Sequence, residues 1–193
     1  MVDYDEAGND AIAVLARNSS GRIVVQIRDI ETAQLLRNIF FFDANWIPLA
    51  MKVLPKASGE AGANIAVMGW SFDPIRTRIQ VKNTATAKIV RQVTPFLSGA
   101  DPITFISAGE QLIPLAESRD AKILAKTLNP SGTSTTNYFL HRTWTPIGIA
   151  HLDSVGESQT DYLATLAVTI EGDVIVQVRE AVSGQFYSNV QVK

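Results

Sequence analysis

Gly21-Arg-Ile-Val-Val-Gln-Ile-Arg-Asp29 decides how the rest of the chain is read. Apolar, mostly β-branched residues alternate with polar ones between a glycine turn and an aspartate, the pattern of a half-buried strand. The pattern returns as Thr77-Arg-Ile-Gln-Val-Lys-Asn83, Ala121-Lys-Ile-Leu-Ala-Lys-Thr127 and Gly172-Asp-Val-Ile-Val-Gln-Val-Arg-Glu180. With Gln26, Gln80, Ala125 and Gln177 superposed, the steps are 54, 45 and 52 residues. Two more markers keep the same phase. One is the proline of Trp46-Ile-Pro48, Asp101-Pro102 and Trp144-Thr-Pro146. The other is an apolar run, Ala11-Ile-Ala-Val-Leu-Ala16, Asn64-Ile-Ala-Val-Met-Gly69, Leu112-Ile-Pro-Leu-Ala116 and Tyr162-Leu-Ala-Thr-Leu-Ala167. Three ladders in register define an internal repeat.

Within each repeat the spacing predicts short strands and no sustained helix. The first repeat reads as 11–17, 22–29, 34–42 and 46–54, with turns at Asn18-Ser-Ser-Gly21 and Ile30-Glu-Thr-Ala33. The second reads as 64–71, 76–83, 87–94 and 102–107, and the third as 111–117, 121–128, 135–141 and 145–152. The last holds only 161–170, 173–180 and 185–192. Four antiparallel strands repeated at about 50 residues are the signature of a β-propeller, whose blades bury their faces on one another. The expected fold is therefore all-β: one propeller domain or propeller fragment over 1–193, with repeats at about 1–55, 56–108, 109–153 and 154–193 and the last blade one strand short. A sandwich or barrel needs no such repeat. By the same alignment the chain opens on the tail of a Trp-x-Pro strand. Three arrangements stay open: a four-bladed ring with one short strand, part of a larger ring, or a partial ring completed by another copy.

Composition narrows the function classes. The 193 residues are 46% hydrophobic and 19% charged, enough for a compact core. Seventeen Lys and Arg against nineteen Asp and Glu, without runs of like charge, argue against nucleic acid as a partner. The apolar runs are strand-sized, so no membrane insertion is expected. Cysteine is absent, which removes disulfides and thiolate chemistry. The acidic start MVDYDEAGND is no signal peptide. His141 and His151 show no ligand or catalytic spacing, and no nucleophile elbow, phosphate loop or dinucleotide fingerprint occurs, so enzyme activity is not expected.

The unit Ala-Val-Leu-Ala-Arg17, Gly21-Arg-Ile-Val-Val-Gln-Ile-Arg-Asp-Ile-Glu-Thr32, Asn38-Ile-Phe-Phe41, Trp46-Ile-Pro-Leu-Ala50 resembles the degenerate blades of bacterial surface and secreted propellers of the FG-GAP, or integrin-type, class. That resemblance spans nearly the whole chain and rests on blade pattern. It implies a non-catalytic scaffold in an extracellular or cell-surface assembly. It also draws attention to Asp3, Asp5 and Asp10 around Gly8, since hard oxygen ligands near a tight turn suit Ca²⁺. The set is incomplete, with Ala7 at a ligand position, and a solvated acidic turn is the plainer reading. Trp46 and Trp144 recur at one repeat position, where they either pack between blades or line sugar-stacking pockets. Trp70 and Phe72 have no repeat counterpart and, with Pro74, read as an exposed loop able to meet a partner. Phe40-Phe-Phe42 must turn at least one ring outward. Two function classes follow: a self-associating or protein-binding module, and a carbohydrate-binding propeller with repeated pockets. Divergence of the repeats favours the first.

Overall fold

The strands group around the Trp-x-Pro segments. The computed structural model describes residues 2–3, 10–54, 59–96, 100–108, 111–119, 123–128, 134–138, 140, 143–152, 160–181 and 183–192. Its sixteen described strands form four antiparallel meanders, with no helix among the described residues. The first sheet is β1 (Val2–Asp3), β2 (Asp10–Arg17), β3 (Ile23–Asp29) and β4 (Leu35–Phe41). The second is β5 (Trp46–Leu54), β6 (Asn64–Phe72), β7 (Ile75–Asn83) and β8 (Ile89–Val93). The third is β9 (Ala100–Ala108), β10 (Gln111–Ser118), β11 (Ile123–Leu128) and β12 (Ser134–Tyr138). The fourth is β13 (Thr145–Leu152), β14 (Tyr162–Val168), β15 (Val174–Glu180) and β16 (Phe186–Val192). A four-stranded meander is the blade unit of a propeller, and the expected all-β, four-blade organisation holds at that level.

The grouping corrects the expected repeat boundaries. Trp46–Leu54 does not close the first repeat; it opens the second, pairing with β6 from Trp46↔Ser71 to Leu54↔Asn64. Strands 102–107 and 145–152 likewise open the third and fourth sheets. The last sheet is consequently complete, and the short strand is β1, whose Val2 pairs with Ala11. The chain divides into two compact units, Met1–Ser98 and Gly99–Lys193, each holding two sheets and its own core.

Proline marks the first strand of the second, third and fourth sheets. Pro48, Pro102 and Pro146 lack the N–H a central strand must donate, and each lies on an edge strand, where proline is tolerated. The ladder slips one residue past each proline, so that Leu49, Ile103 and Ile147 are left without a cross-strand partner. These β-bulges turn an aliphatic side chain out of register at equivalent places.

A shared turn follows the third strand. In Asp29–Gln34, Asn83–Lys88 and Glu180–Gln185 the fifth residue's N–H donates to the first residue's carbonyl, at 3.0, 2.8 and 2.9 Å. That fifth residue, Ala33, Ala87 or Gly184, has φ of 57, 57 or 71°. Asp29 Oδ1 accepts from the Glu31 and Thr32 amides and the Thr32 hydroxyl, and Asn83 Oδ1 accepts the same three donors from Ala85 and Thr86. The Thr32 donors hold the Asp29 carboxyl below its ordinary range, and the Glu31 amide adds to that. A carboxyl lowered in the fold contributes stability that is full above pH 3.8 and is lost as pH falls through its folded value. Asp29→Asn, copying the turn at Asn83, should therefore flatten the pH dependence of the urea midpoint between pH 5 and 2. An unchanged slope would show that the charge contributes nothing.

Each unit packs its two sheets through a separate core. In the first, Ile23, Val25, Ile27 and Ile39 meet Ile65, Val67 and Trp46. In the second, Ile106, Ile113, Leu115 and Ile123 meet Leu163 and Ala167. Gln80 adds a polar joint in the first unit: its Oε1 accepts the Phe42 N–H at 3.2 Å, and its Nε2 donates to Gln92 Oε1 at 2.6 Å. Thr127 Oγ1 donates to the Ala181 carbonyl at 3.0 Å in the second.

Candidate interaction surface

In the first sheet, pairing of the second and third strands ends at Arg17↔Ile23, and Asn18 Oδ1 caps the turn by accepting the Arg22 amide at 2.8 Å. The fourth sheet does the same with Thr169, whose hydroxyl oxygen accepts from Glu171 and Asp173. The second sheet departs from both. Its pairing continues past Trp70↔Thr77 to Phe72↔Ile75, closing at Asp73-Pro74 with a cis peptide bond.

Residues two apart on a strand share a face, so the longer hairpin places Trp70 and Phe72 side by side, their ring centroids 4.2 Å apart and tilted 47°. Ile75 lies opposite Phe72. Phe72 and Ile75 are each 58% exposed, and Trp70 is half-buried. The tip is thus an apolar cluster in water.

The opposite face of the same hairpin is anchored. Trp46 is 3% exposed, stacks on Phe42 at 4.8 Å and 18°, and carries the guanidinium carbons of Arg76 and Arg78 over its ring at 5.1 and 5.0 Å. The Nε atoms of both arginines are buried without a hydrogen-bond acceptor, and both guanidinium groups lie over the negative face of the ring. Burial lowers the Arg78 pKa, repulsion by Arg76 adds to that, and Asp43 opposes it. Further along β7, Lys82 Nζ donates to the Phe40 carbonyl at 2.6 Å and lies 5.4 Å from the Phe41 ring.

Of the residues singled out by sequence, Trp70 and Phe72 lie on the paired strand β6 and not on a loop, with their rings in contact, Phe72 exposed and Trp70 half-buried. Trp46 does not offer a sugar platform, because Phe42 and two arginines cover its ring. Trp144 is half-buried and packs with Ile149 against the second core, so no exposed pair of equivalent tryptophans exists. Phe40 is the outward ring of its trio, at 38% exposure, with Arg22 over it at 4.8 Å, while Phe41 and Phe42 are buried. The backbones of Asp3 and Asp10 pair between β1 and β2. Asp5, with the rest of the acidic loop at 4–9, lies outside the described residues. Among the described residues no three acidic or histidine side chains converge as metal ligands. His151 Nε2 lies 3.3 Å from Asp161 Oδ2, and His141 is outside the described residues.

No family model and no curated protein matches the chain, so the FG-GAP-type resemblance stands on the quoted residues alone. Solved structures similar to it include two crystal structures of BBS1N in complex with ARL6DN. In the one soaked with lead the identity is 15%, over 94% of this chain and 64% of that chain, with a TM-score of 0.45. In the one soaked with mercury the identity is 12%, over 95% of this chain and 69% of that chain, with a TM-score of 0.42. The chain thus spans just under two thirds of the first of these. The blade assignment rests on strand order and register.

Proposed function

We propose that the chain is a non-catalytic protein-interaction module of propeller-type blades, that the tip of the β6–β7 hairpin is its contact, and that a second copy of the chain is one partner. The observation that carries this reading is the Trp70–Phe72–Ile75 cluster. Water-exposed aromatic and aliphatic side chains on a paired, anchored hairpin cost little entropy to bury, and such anchors dominate interfaces. Covering Phe72 and Ile75, each 58% exposed in the monomer, would gain about 1–2 kcal/mol apiece. The outer strands supply further apolar surface for an assembly, with Ile89 and Val90 about half exposed on β8 and Phe186, Tyr187 and Val190 on β16. An extracellular or cell-surface setting, and membership of the FG-GAP class, are the finer parts of the proposal.

Light scattering during size-exclusion chromatography tests it. The mass should rise above 21.0 kDa with concentration in the wild type. Phe72→Ser with Ile75→Ser should return it to the monomer while the circular dichroism spectrum stays unchanged. A wild type that is monomeric up to several hundred micromolar would overturn self-association through this tip. Repeating the run with calcium and with a chelator addresses Asp3, Asp5 and Asp10: a chelator-dependent mass places calcium in the assembly, and an unchanged mass removes it.

A further inference from the structure

The second sheet differs from the other three in charge. Every charged residue on its strands is a cation: Lys52 on β5, Arg76, Arg78 and Lys82 on β7, and Arg91 on β8. Each of the other sheets carries both signs, as at Arg28 and Asp29, Glu117 and Lys126, or Arg179 and Glu180. Alternation along β7 puts Arg76, Arg78 and Lys82 on one face. Trp70 and Phe72 lie on the opposite one, across from Thr77 and Ile75. Arg22 joins the row from the first sheet: its guanidinium lies over Phe40, whose carbonyl accepts from Lys82.

These cations face one another and not carboxylates. Arg76 repels the Arg78 charge, and Arg22 repels that of Lys82. Asp43 favours the Arg78 charge but forms no ion pair with it. Among the described residues, the guanidinium groups of Arg76 and Arg78 make no hydrogen bond, and only the Nε of each is buried. Both residues are half-buried, so the Nη ends of the two forks open to solvent. The Trp46 ring attracts both charges, at 5.1 and 5.0 Å, but gives the outward N–H groups no acceptor. Forked donors of this kind match the oxygen spacing of phosphate and carboxylate groups.

Charge selects between those two. A carboxylate offsets one arginine, whereas a doubly charged group offsets both, and Lys82 and Arg22 add their attraction from further along the face. We infer that the Arg76–Arg78 pair over Trp46 is a binding site for a phosphate dianion, free or as a monoester. The site lies on the other face of the hairpin from Trp70 and Phe72 and does not depend on the contact proposed there.

The test is a titration of the full chain with sodium phosphate at about pH 8, where the second phosphate proton is lost, with ionic strength held constant by sodium chloride. The Trp46 indole N–H resonance should shift and saturate with a midpoint of about 1–10 mM, the affinity of two charge-assisted hydrogen bonds. The Trp70 and Trp144 indoles should stay in place. Acetate should bind at least tenfold more weakly. Arg76→Gln and Arg78→Gln should each weaken phosphate at least tenfold, whereas Arg91→Gln, opposite Val81 and so on the other face of the sheet, should leave it unchanged. Arg76→Lys with Arg78→Lys covers the case of a glutamine variant that does not fold: both charges stay, the forks are lost, and binding should still fall about tenfold. Methyl phosphate distinguishes the two sources, since equal binding points to a phosphorylated partner and its rejection to the free ion. Phe72→Ser with Ile75→Ser should bind phosphate as the wild type does, which separates this site from the hairpin tip. A Trp46 resonance that does not move at tens of millimolar phosphate would overturn the site. So would equal losses in Arg91→Gln and Arg78→Gln, because binding would then follow net charge and not this pair.

Discussion

Replacing Trp46 with alanine should destabilise the first unit by about 3–5 kcal/mol, the range for removing a large buried aromatic. The indole is 3% exposed and belongs to the core that joins the first two sheets. Its loss does more than open a void. Arg76 and Arg78 hold two partly desolvated positive charges over this ring, and without it their buried Nε–H groups face neither acceptor nor π-face. Trp46→Phe keeps a π-face and most of the volume, so it should recover at least half of the loss. Urea unfolding of the two variants, followed by circular dichroism, checks the order. A Trp46→Ala midpoint within experimental error of the wild type would mean that the ring is not part of the core.

Removal of Trp46 also separates the tip's two faces. The cation-laden face holds the hairpin in place, while Trp70, Phe72 and Ile75 stand on the other. If the proposed contact requires an ordered tip, Trp46→Ala should weaken self-association without touching a contact residue. Phe72→Ser should weaken it with little change in stability, because a side chain 58% exposed gives the monomer little.

The repeat was legible because its signals are local: alternation along single strands, and prolines at one phase. What misled was the assignment of 46–54. Only Phe42–Asn45 separates Phe41 from Trp46, whereas nine residues separate Leu54 from Asn64, so proximity in the chain favours pairing with the first repeat. The chain instead leaves the first sheet through two non-glycine residues in the left-handed region, Phe42 at φ 52° and Asn45 at φ 75°. Asparagine adopts that region readily, but a phenylalanine there is an outlier that only packing can hold. No sequence pattern announces it. The turn of Asp29–Gln34, by contrast, was visible: an acceptor side chain, then Thr or Ser three residues on, then Ala or Gly, recurs at Asn83–Lys88 and Glu180–Gln185. The candidate sites divide the same way. Trp70 and Phe72 stood out by lacking repeat counterparts, and the longer hairpin is the reason.

Gly69→Ala should cost about 1–3 kcal/mol, although alanine ordinarily improves on glycine inside a strand. Gly69 lies on β6 opposite Pro48 and Arg78, and a Cβ built on it falls 2.8 Å from Phe42 Cε2 and 3.2 Å from Cδ2. A free ring would swing aside at little expense. This one is stacked on Trp46, 6% exposed, and tied at its own backbone N–H to Gln80 Oε1. Moving it opens the aromatic stack, and leaving it overpacks the joint. The double variant distinguishes this clash from a generic effect on the strand. With Phe42→Ala in place the added methyl has no ring to meet, so the cost of Gly69→Ala should vanish and the usual preference for alanine should emerge. The coupling energy across the cycle should then reach about 1–3 kcal/mol, as contacting residues show. Equal costs in both backgrounds would mean that Phe42 does not lean on Gly69, and the account of how the first two sheets lock around Trp46 would fail with it.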